Sequence, residues 1–303
     1  MRVIFLGTSG SIPTPRRGAP AVAVVREGEI LLFDCGEGTQ QRMFAARLGF
    51  SRPMSVFITH LHGDHVLGLP GLLQTMSLLG RERPLRVYGP RGIREFLEAF
   101  TSILGEPLFP LEVGEVVEPG RVCDGRGYKV LAVPADHNVE AWSYALVEDP
   151  RPGRFHPERA LELGVPEGPL WKRLQRGERV RLPDGRVVRP EEVVDPPRPG
   201  RKIVYSGDTR PNEGLVELAR GADLLIHEST FGDDLAEKAL LDGHSTPSQA
   251  AEVARRAGVG ELILTHISPR YSDPSELLEQ ARRVFGRTRI AEDLMEVEVP
   301  LRD

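Results

Sequence analysis

Thr59-His60-Leu61-His62-Gly63-Asp64-His65 follows directly on the apolar run Val56-Phe57-Ile58. Four metal-competent side chains fall within six positions of a chain that has only 8 His. On an extended segment alternate side chains share a face. His60 and His62 therefore reach one ion from a strand end. Gly63 lets the chain turn, so Asp64 and His65 are free to serve a second ion. The density of ligands points to metal chemistry rather than to a polar surface turn.

The 303 residues, 40% of them hydrophobic, suffice for one large domain or two smaller ones with a real core. No run approaches 18 consecutive apolar residues, so no membrane association is expected. The opening Met1-Arg2-Val3-Ile4-Phe5-Leu6-Gly7 reads as a first strand, not as a signal peptide. Cys35 and Cys123 are the only cysteines, too few for a disulfide framework. A reducing, cytoplasmic setting is the expectation. The net charge of -5 argues, taken globally, against a nucleic-acid partner; its distribution reverses that reading below.

The first third alternates short apolar runs with turn signals. Strands are predicted at 3–6, 21–25, 30–33 and 56–58, then at 86–88, 129–134 and 142–147. Helices are predicted at 38–48, 68–79 and 91–104, where Ile93, Phe96, Leu97 and Phe100 recur at helical spacing. After an irregular stretch the rhythm resumes, with strands at 203–205, 224–226 and 262–264 and helices at 215–220, 246–257 and 274–285. Thr246-Pro247-Ser248-Gln249 reads as a capped start with Pro at the first helical position. Asp273 or Ser272 would cap the helix beginning at Pro274. The expected organisation is a core in two parts, 1–148 and 201–303, split by an insert at 149–200. That insert is rich in Pro, Gly, Arg and Glu and is expected to be extended and mobile.

Three further segments set a polar residue where a strand ends: Ala135-Asp136-His137, Ser206-Gly207-Asp208-Thr209 and Thr265-His266. Ligands in αβ folds concentrate beyond strand ends. The set fits two zinc ions, with Mn2+ as an alternative occupant. His60, His62 and His137 would hold the first and Asp64, His65 and His266 the second. Asp208, with two oxygens, could bridge them. Such a pair stabilises the attacking and leaving oxygens of a phosphoryl displacement and lowers the pKa of bound water to about 7.

The segment His60-Leu61-His62-Gly63-Asp64-His65, with His137, Asp208 and His266, resembles the metallo-β-lactamase superfamily. Asp34, in Leu31-Leu32-Phe33-Asp34-Cys35-Gly36, matches the buried aspartate that supports the ligands there. The resemblance implies an α/β fold, an αββα sandwich with the metals at one edge. Within the superfamily the ribonuclease Z branch, the tRNA 3′-processing endonucleases, is the most similar. Phe33-Asp34-Cys35-Gly36-Glu37-Gly38-Thr39-Gln40 is close to that branch. His227-Glu228-Ser229-Thr230-Phe231 and His244-Ser245-Thr246 look like its "HEAT" and "HST" elements. The resemblance implies catalytic roles for Asp64, Glu228 and His244, the last two assisting the leaving group. The insert from Pro152 to Gly177 is similar to the branch's exosite arm, and implies RNA-binding roles for Arg154, Lys172, Arg173, Arg176 and Arg179. Residues 151–202 hold 13 Lys and Arg against 8 Asp and Glu, a net +5 that leaves the remainder at -10. Positive charge thus sits where phosphate contacts would be needed. One departure stands out: where the branch often carries a Lys-Arg-Asn loop, this chain reads Pro13-Thr14-Pro15-Arg16-Arg17-Gly18.

The implied activity is removal of the 3′ trailer from precursor tRNA. The cut falls 3′ of the discriminator base and leaves a 3′-hydroxyl on the tRNA and a 5′-phosphate on the trailer. A homodimer is expected. The alternatives are a metallo-hydrolase of small phosphodiesters or other esters, which would give the insert no task, and a non-catalytic RNA-binding relative, against which the full ligand set argues.

Overall fold

In the first strand, β1 (Arg2–Gly7), Val3 and Phe5 face one layer and Ile4 and Leu6 the other, and all four are buried. A strand buried on both faces must lie inside a layered structure. The structure is a computed structural model that describes residues 1–302. The remaining strands of the first half are β2 (Ala21–Arg26), β3 (Glu29–Phe33), β4 (Met54–Phe57), β5 (Leu85–Gly89), β6 (Leu111–Glu115), β7 (Gly120–Gly125), β8 (Tyr128–Pro134) and β9 (Trp142–Glu148). A short hairpin, β10 (Val180–Arg181) and β11 (Val187–Val188), lies in the insert. The second half adds β12 (Lys202–Tyr205), β13 (Leu224–Glu228), β14 (Glu261–Thr265), β15 (Thr288–Ile290) and β16 (Glu296–Glu298).

The long strands form two seven-stranded sheets, in the orders β16-β1-β2-β3-β4-β5-β6 and β15-β14-β13-β12-β9-β8-β7. The last strand crosses back to close the first sheet, antiparallel to β1. From β3 to β6 and from β12 to β15 neighbours are parallel. Parallel neighbours need crossover connections, and helices supply them. They include α1 (Thr39–Ala45), the one-turn α2 (Gly63–Val66), α3 (Gly68–Leu78) and α4 (Ile93–Leu104) in the first half. Two more, α5 (Pro157–Glu162) and α6 (Pro169–Gln175), belong to the insert. The second half carries α7 (Glu213–Ala219), α8 (Ala236–Asp242), α9 (Pro247–Ala257) and α10 (Ser275–Val284).

The core falls into layers. Between the sheets lie Phe5, Leu31, Phe33 and Phe57 with Tyr144, Leu146, Tyr205 and Ile226. On the outer side of the first sheet, Ile4, Leu32 and Val56 pack with Met43, Leu72, Met76 and Leu97 of the helices. Val204, Leu225 and Leu264 do the same with Leu215, Ala250 and Ala254. The order helix–sheet–sheet–helix is the expected αββα sandwich. Thr246 caps α9: its side chain accepts from the Gln249 N–H, Gln249 answers at the Thr246 N–H, and Pro247 is the first helical residue. The helix expected from 274 starts at Ser275, whose N–H is taken by Asp273 Oδ1 at 3.0 Å.

The chain divides into two units, one of Met1–Val147 with Lys202–Pro300, the other of Glu148–Arg201 with residues 301–302. The insert is not the extended stretch that its composition suggests. Ala160, Val165, Leu174, Val180, Leu182, Val188 and Val193 close a small core of their own, with Phe155 and Trp171 against it. Its apolar residues are spread singly or in pairs among Gly, Pro and charge, so no long run announces them. Glu148 and Arg201 pair at 2.7 Å within this unit. Counted over 148–201, the module has 12 Lys and Arg against 10 Asp and Glu. Its net charge is therefore +2, smaller than the bounds 151–202 imply, because Glu148 and Asp149 belong to it and Lys202 does not.

Candidate metal centre

The quoted stretch leaves the end of β4 extended as far as His62, and Gly63 opens the turn of helix that carries Asp64 and His65. His137 follows β8, Asp208 follows β12, Glu228 ends β13 and His266 follows β14. The seven expected ligands come together within one unit. His60 Nε2 lies 3.0 Å from His62 Nδ1, and His137 Nε2 lies 3.4 Å from the same nitrogen. His65 Nε2 and His266 Nε2 are 3.3 Å apart, and Asp64 Oδ2 is 3.5 Å from each. Asp208 spans the two groups: Oδ2 is 3.4 Å from His65 and 3.8 Å from His60, and Oδ1 is 3.4 Å from His266. His60, His65, Asp208 and His266 are buried, while His62 faces solvent.

Hydrogen bonds behind the rings fix which nitrogen is free. His65 Nδ1 donates to Asp34 Oδ2 at 2.7 Å, and His137 Nδ1 donates to the Gly243 carbonyl at 2.7 Å. Thr59 Oγ1 donates to Asp34 and so accepts from His60 Nδ1 at 3.0 Å. Thr230 Oγ1 donates to Glu228 Oε2 and so accepts from His266 Nδ1 at 2.8 Å. Four rings thus have Nδ1 engaged behind them and turn Nε2 toward the site, as metal-bound histidines do. His65 and His266 set two such nitrogens 3.3 Å apart, close enough to share a cation or a proton. The Asp208 Oδ1 atom adds a buried oxygen with no hydrogen-bond partner among the described residues. Nitrogen and carboxylate donors in this arrangement fit divalent cations with a taste for both, zinc foremost.

The electrostatics divide the histidines: burial opposes a charge on His65, but Asp208 and Asp34 outweigh it and raise the ring well above the ordinary imidazole range. Burial, helped by the neighbouring His65, pushes His60 well below the ordinary imidazole range, and burial with His137 lowers His62. Both stay neutral, the ligating form. Burial opposes ionisation of Asp208, yet His266 and His65 hold its carboxyl well below the usual range.

Backbone strain marks the same place. Asp34 has φ 58° and His266 φ 58°, left-handed values that non-glycine residues seldom adopt. Gly243 has φ 85°, and a Cβ there would fall 2.6 Å from His137 Nδ1, so the close carbonyl contact requires glycine. Asp34 is fully buried and accepts from Thr59 N at 2.8 Å and Tyr205 OH at 2.8 Å besides His65.

Glu228 and His244 form a second buried unit beside the ligands. Glu228 Oε1 accepts from His244 Nδ1 at 2.9 Å and from the N–H groups of Thr209 and Ser245, both at 3.1 Å. Oε2 accepts from Thr230 N at 3.0 Å. Burial works against a charged His244, but Glu228 and then Asp208 outweigh it and raise the ring to about 9. Nδ1 is engaged, so Nε2 is the nitrogen left for a substrate. Thr59, Tyr205, Thr230 and Gly243 orient these groups and were not singled out from sequence. Residue type gave no signal for them, because their role rests on contacts that only the folded chain makes: Thr59 and Tyr205 with Asp34, Thr230 with His266, Gly243 with His137. The five cations expected on the insert, Arg154, Lys172, Arg173, Arg176 and Arg179, are all exposed. Arg173 is tied to Glu178 at 2.9 Å.

Ribonuclease Z of Methanosarcina acetivorans is 52% identical over 304 residues, spanning 100% of this chain and 99% of that protein. The chain belongs to the ribonuclease Z family. A second ribonuclease Z, from Myxococcus xanthus, is 49% identical over 100% of this chain and 99% of its own. Human tRNase Z, short form, superposes with a TM-score of 0.73 at 31% identity, covering 99% of this chain and 100% of that one. The metallo-β-lactamase fold protein YhfI from Bacillus subtilis, at 18% identity and TM-score 0.71, shares the fold. A profile described as beta-lactamase superfamily domain matches residues 193–267, and one described as anti-Pycsar protein Apyc1 matches residues 1–100. Membership of the ribonuclease Z family makes the chain a metal-binding hydrolase, an endoribonuclease.

Proposed function

We propose that the chain removes the 3′ trailer from precursor tRNA with two zinc ions, cutting 3′ of the discriminator base to leave a 3′-hydroxyl on the tRNA and a 5′-phosphate on the trailer. Family membership supports the reaction. The observation that carries the chemistry is the set of four imidazoles pinned through Nδ1, with Nε2 of His60, His65 and His266 turned to Asp208 and Nε2 of His137 turned to His62. His60, His62 and His137 would hold one ion, Asp64, His65 and His266 the other, with Asp208 between them and Asp34 supporting. Bound zinc supplies charge to stabilise the phosphoryl oxygens and makes a water acidic enough to attack.

The chain's own groups do the rest. Asp64, whose Oδ2 is also held by the Ser11 N–H at 2.9 Å, orients the attacking water. Its carboxylate accepts a hydrogen bond from that water and aims its lone pair at phosphorus. As the bond from phosphorus to the 3′ oxygen breaks, His244 Nε2–H gives that oxygen its proton, and Glu228 holds the ring charged until then. The 148–201 module grips tRNA through Arg154, Lys172, Arg173, Arg176 and Arg179. The chain acts as a homodimer in the cytoplasm; no helix among the described residues is long and apolar enough to cross a membrane.

Incubation of the zinc-loaded protein with a 3′-extended pre-tRNA, with mapping of both new ends, tests the reading. The expected products are a tRNA ending in a 3′-hydroxyl at the discriminator and a 5′-phosphorylated trailer. Hydrolysis of small phosphodiesters with pre-tRNA left intact would transfer the assignment to a small-ester hydrolase.

A further inference from the structure

Beside His244 lies an aromatic ring with cations on it. Phe231 meets the His244 ring edge-on, at 5.8 Å between centroids and 66° between planes. The Arg270 guanidinium carbon sits 4.8 Å from the Phe231 centroid and Lys238 Nζ 5.3 Å from it. The two cations differ. Lys238 is neutralised by Asp242 at 2.7 Å. Arg270 has no carboxylate partner among the described residues; its Nε donates to Ser268 Oγ at 3.0 Å, which sets the plane of the fork. It is exposed, and it stands four residues after the ligand His266. An exposed arginine usually roams. This one is stacked on a ring and anchored through Nε, so its remaining N–H groups are presented in a fixed direction without an acceptor among the described residues. A planar, preorganised, unpaired fork is suited to a phosphate.

Its position says which phosphate. On the proposed mechanism, on which this inference rests, His244 protonates the departing 3′ oxygen, so everything 5′ of that oxygen lies on the His244 side of the site. The next group in that direction is the phosphate on the 5′ side of the discriminator nucleotide. We infer that Arg270, held on Phe231, is a positioning residue that binds this upstream phosphate and so sets which linkage meets His244. Arg270 touches no reacting atom; it fixes the register of the strand.

The test is a cycle of protein and substrate changes under single-turnover conditions with zinc-loaded full-length protein. One pre-tRNA carries a neutral methylphosphonate at the upstream linkage, and a control carries it one linkage further 5′. All substrates have a 2′-deoxy sugar on the 5′ side of each tested linkage. With all-phosphate RNA, Arg270→Ala is expected to raise the half-saturating concentration about 10- to 100-fold, the range for a charge-assisted contact. Arg270→Lys should recover part of this. The upstream methylphosphonate should cost the wild type a similar factor and cost Arg270→Ala almost nothing more. The control methylphosphonate should cost both proteins equally. Multiplying losses at the upstream linkage would overturn the inference, as would a loss in Arg270→Ala confined to the maximal rate. Failure of the wild type to cut the all-phosphate RNA would overturn the proposed function itself, and this inference with it.

Discussion

Asp34 offers the most direct check on how the metal centre is built. Its carboxylate is fully buried and accepts from Thr59 N, Thr59 Oγ1, His65 Nδ1 and Tyr205 OH at 2.7 to 3.0 Å. Asp34→Ala leaves four buried donors without an acceptor: the Thr59 N–H and hydroxyl, the Tyr205 hydroxyl and the His65 Nδ1–H. Each orphan costs about 1–3 kcal/mol, and since they share one cavity the sum is on the order of 3–5 kcal/mol. The left-handed backbone at φ 58° adds about 1 kcal/mol, since alanine tolerates it less well than aspartate. Loss of the acceptor also frees His65 to move its proton to Nε2, so zinc affinity should fall about 10- to 100-fold. Urea melts of the metal-free protein and zinc partitioning against a chromophoric chelator measure the two effects. Asp34→Asn keeps the shape while losing the charge, and serves if the alanine variant fails to fold. A metal-free melt within about 1 kcal/mol of wild type, with zinc affinity unchanged, would refute the role of Asp34 as the common acceptor.

Glu228→Gln should move the alkaline limb of the cleavage rate. The His244 ring, raised from 6.5 to about 9, stays charged below that value and is lost as pH rises through it. With the pKa returned to its ordinary value the active fraction falls about 30-fold at pH 8 but less than about 2-fold at pH 6. A pH–rate profile parallel to wild type would remove His244 as the acid. Asp64→Ala should abolish cleavage while tRNA binding, measured by filter retention, survives; near-normal turnover with full zinc content would sink its role. Replacing 149–200 by a short glycine linker should leave a core that folds and loads zinc, because every ligand lies outside that range. Pre-tRNA binding should weaken strongly, and its log–log salt slope should shrink by about one for each lost phosphate contact. Intact tRNA processing in that variant would refute the module's part.

The candidate ligands were legible because metal chemistry restricts residue type. Few side chains ligate zinc, so His60, His62, Asp64 and His65 within six positions announce themselves. Layers were legible where both faces of a strand are apolar, as in β1. Edge strands such as β7 and β16 were not, since partial exposure leaves them no apolar pattern. Nor was the core of the insert, whose apolar residues meet only after two short helices and a hairpin have formed. Thr230 shows the limit most clearly. One hydroxyl contacts Glu228, His244 and His266, residues up to 36 positions away, and nothing local in the sequence marks it.

β16 has a consequence for the chain while it is being made. Residues 2–4 of β1 take their outer partners from residues 296–298, and the first residue's amino group bonds to the Val299 carbonyl. Synthesis proceeds from the N-terminus, so β1 emerges before the other strands described and waits for β16, the last of them, before that side is covered. Throughout that time a Val-Ile-Phe-Leu strand exposes unpaired backbone groups along one side, the template on which chains pair wrongly. The later β16 arrives, through slow translation or truncation, the longer this edge stays open. Chains stopped before 296 should therefore be recovered in aggregates even when they contain every metal ligand.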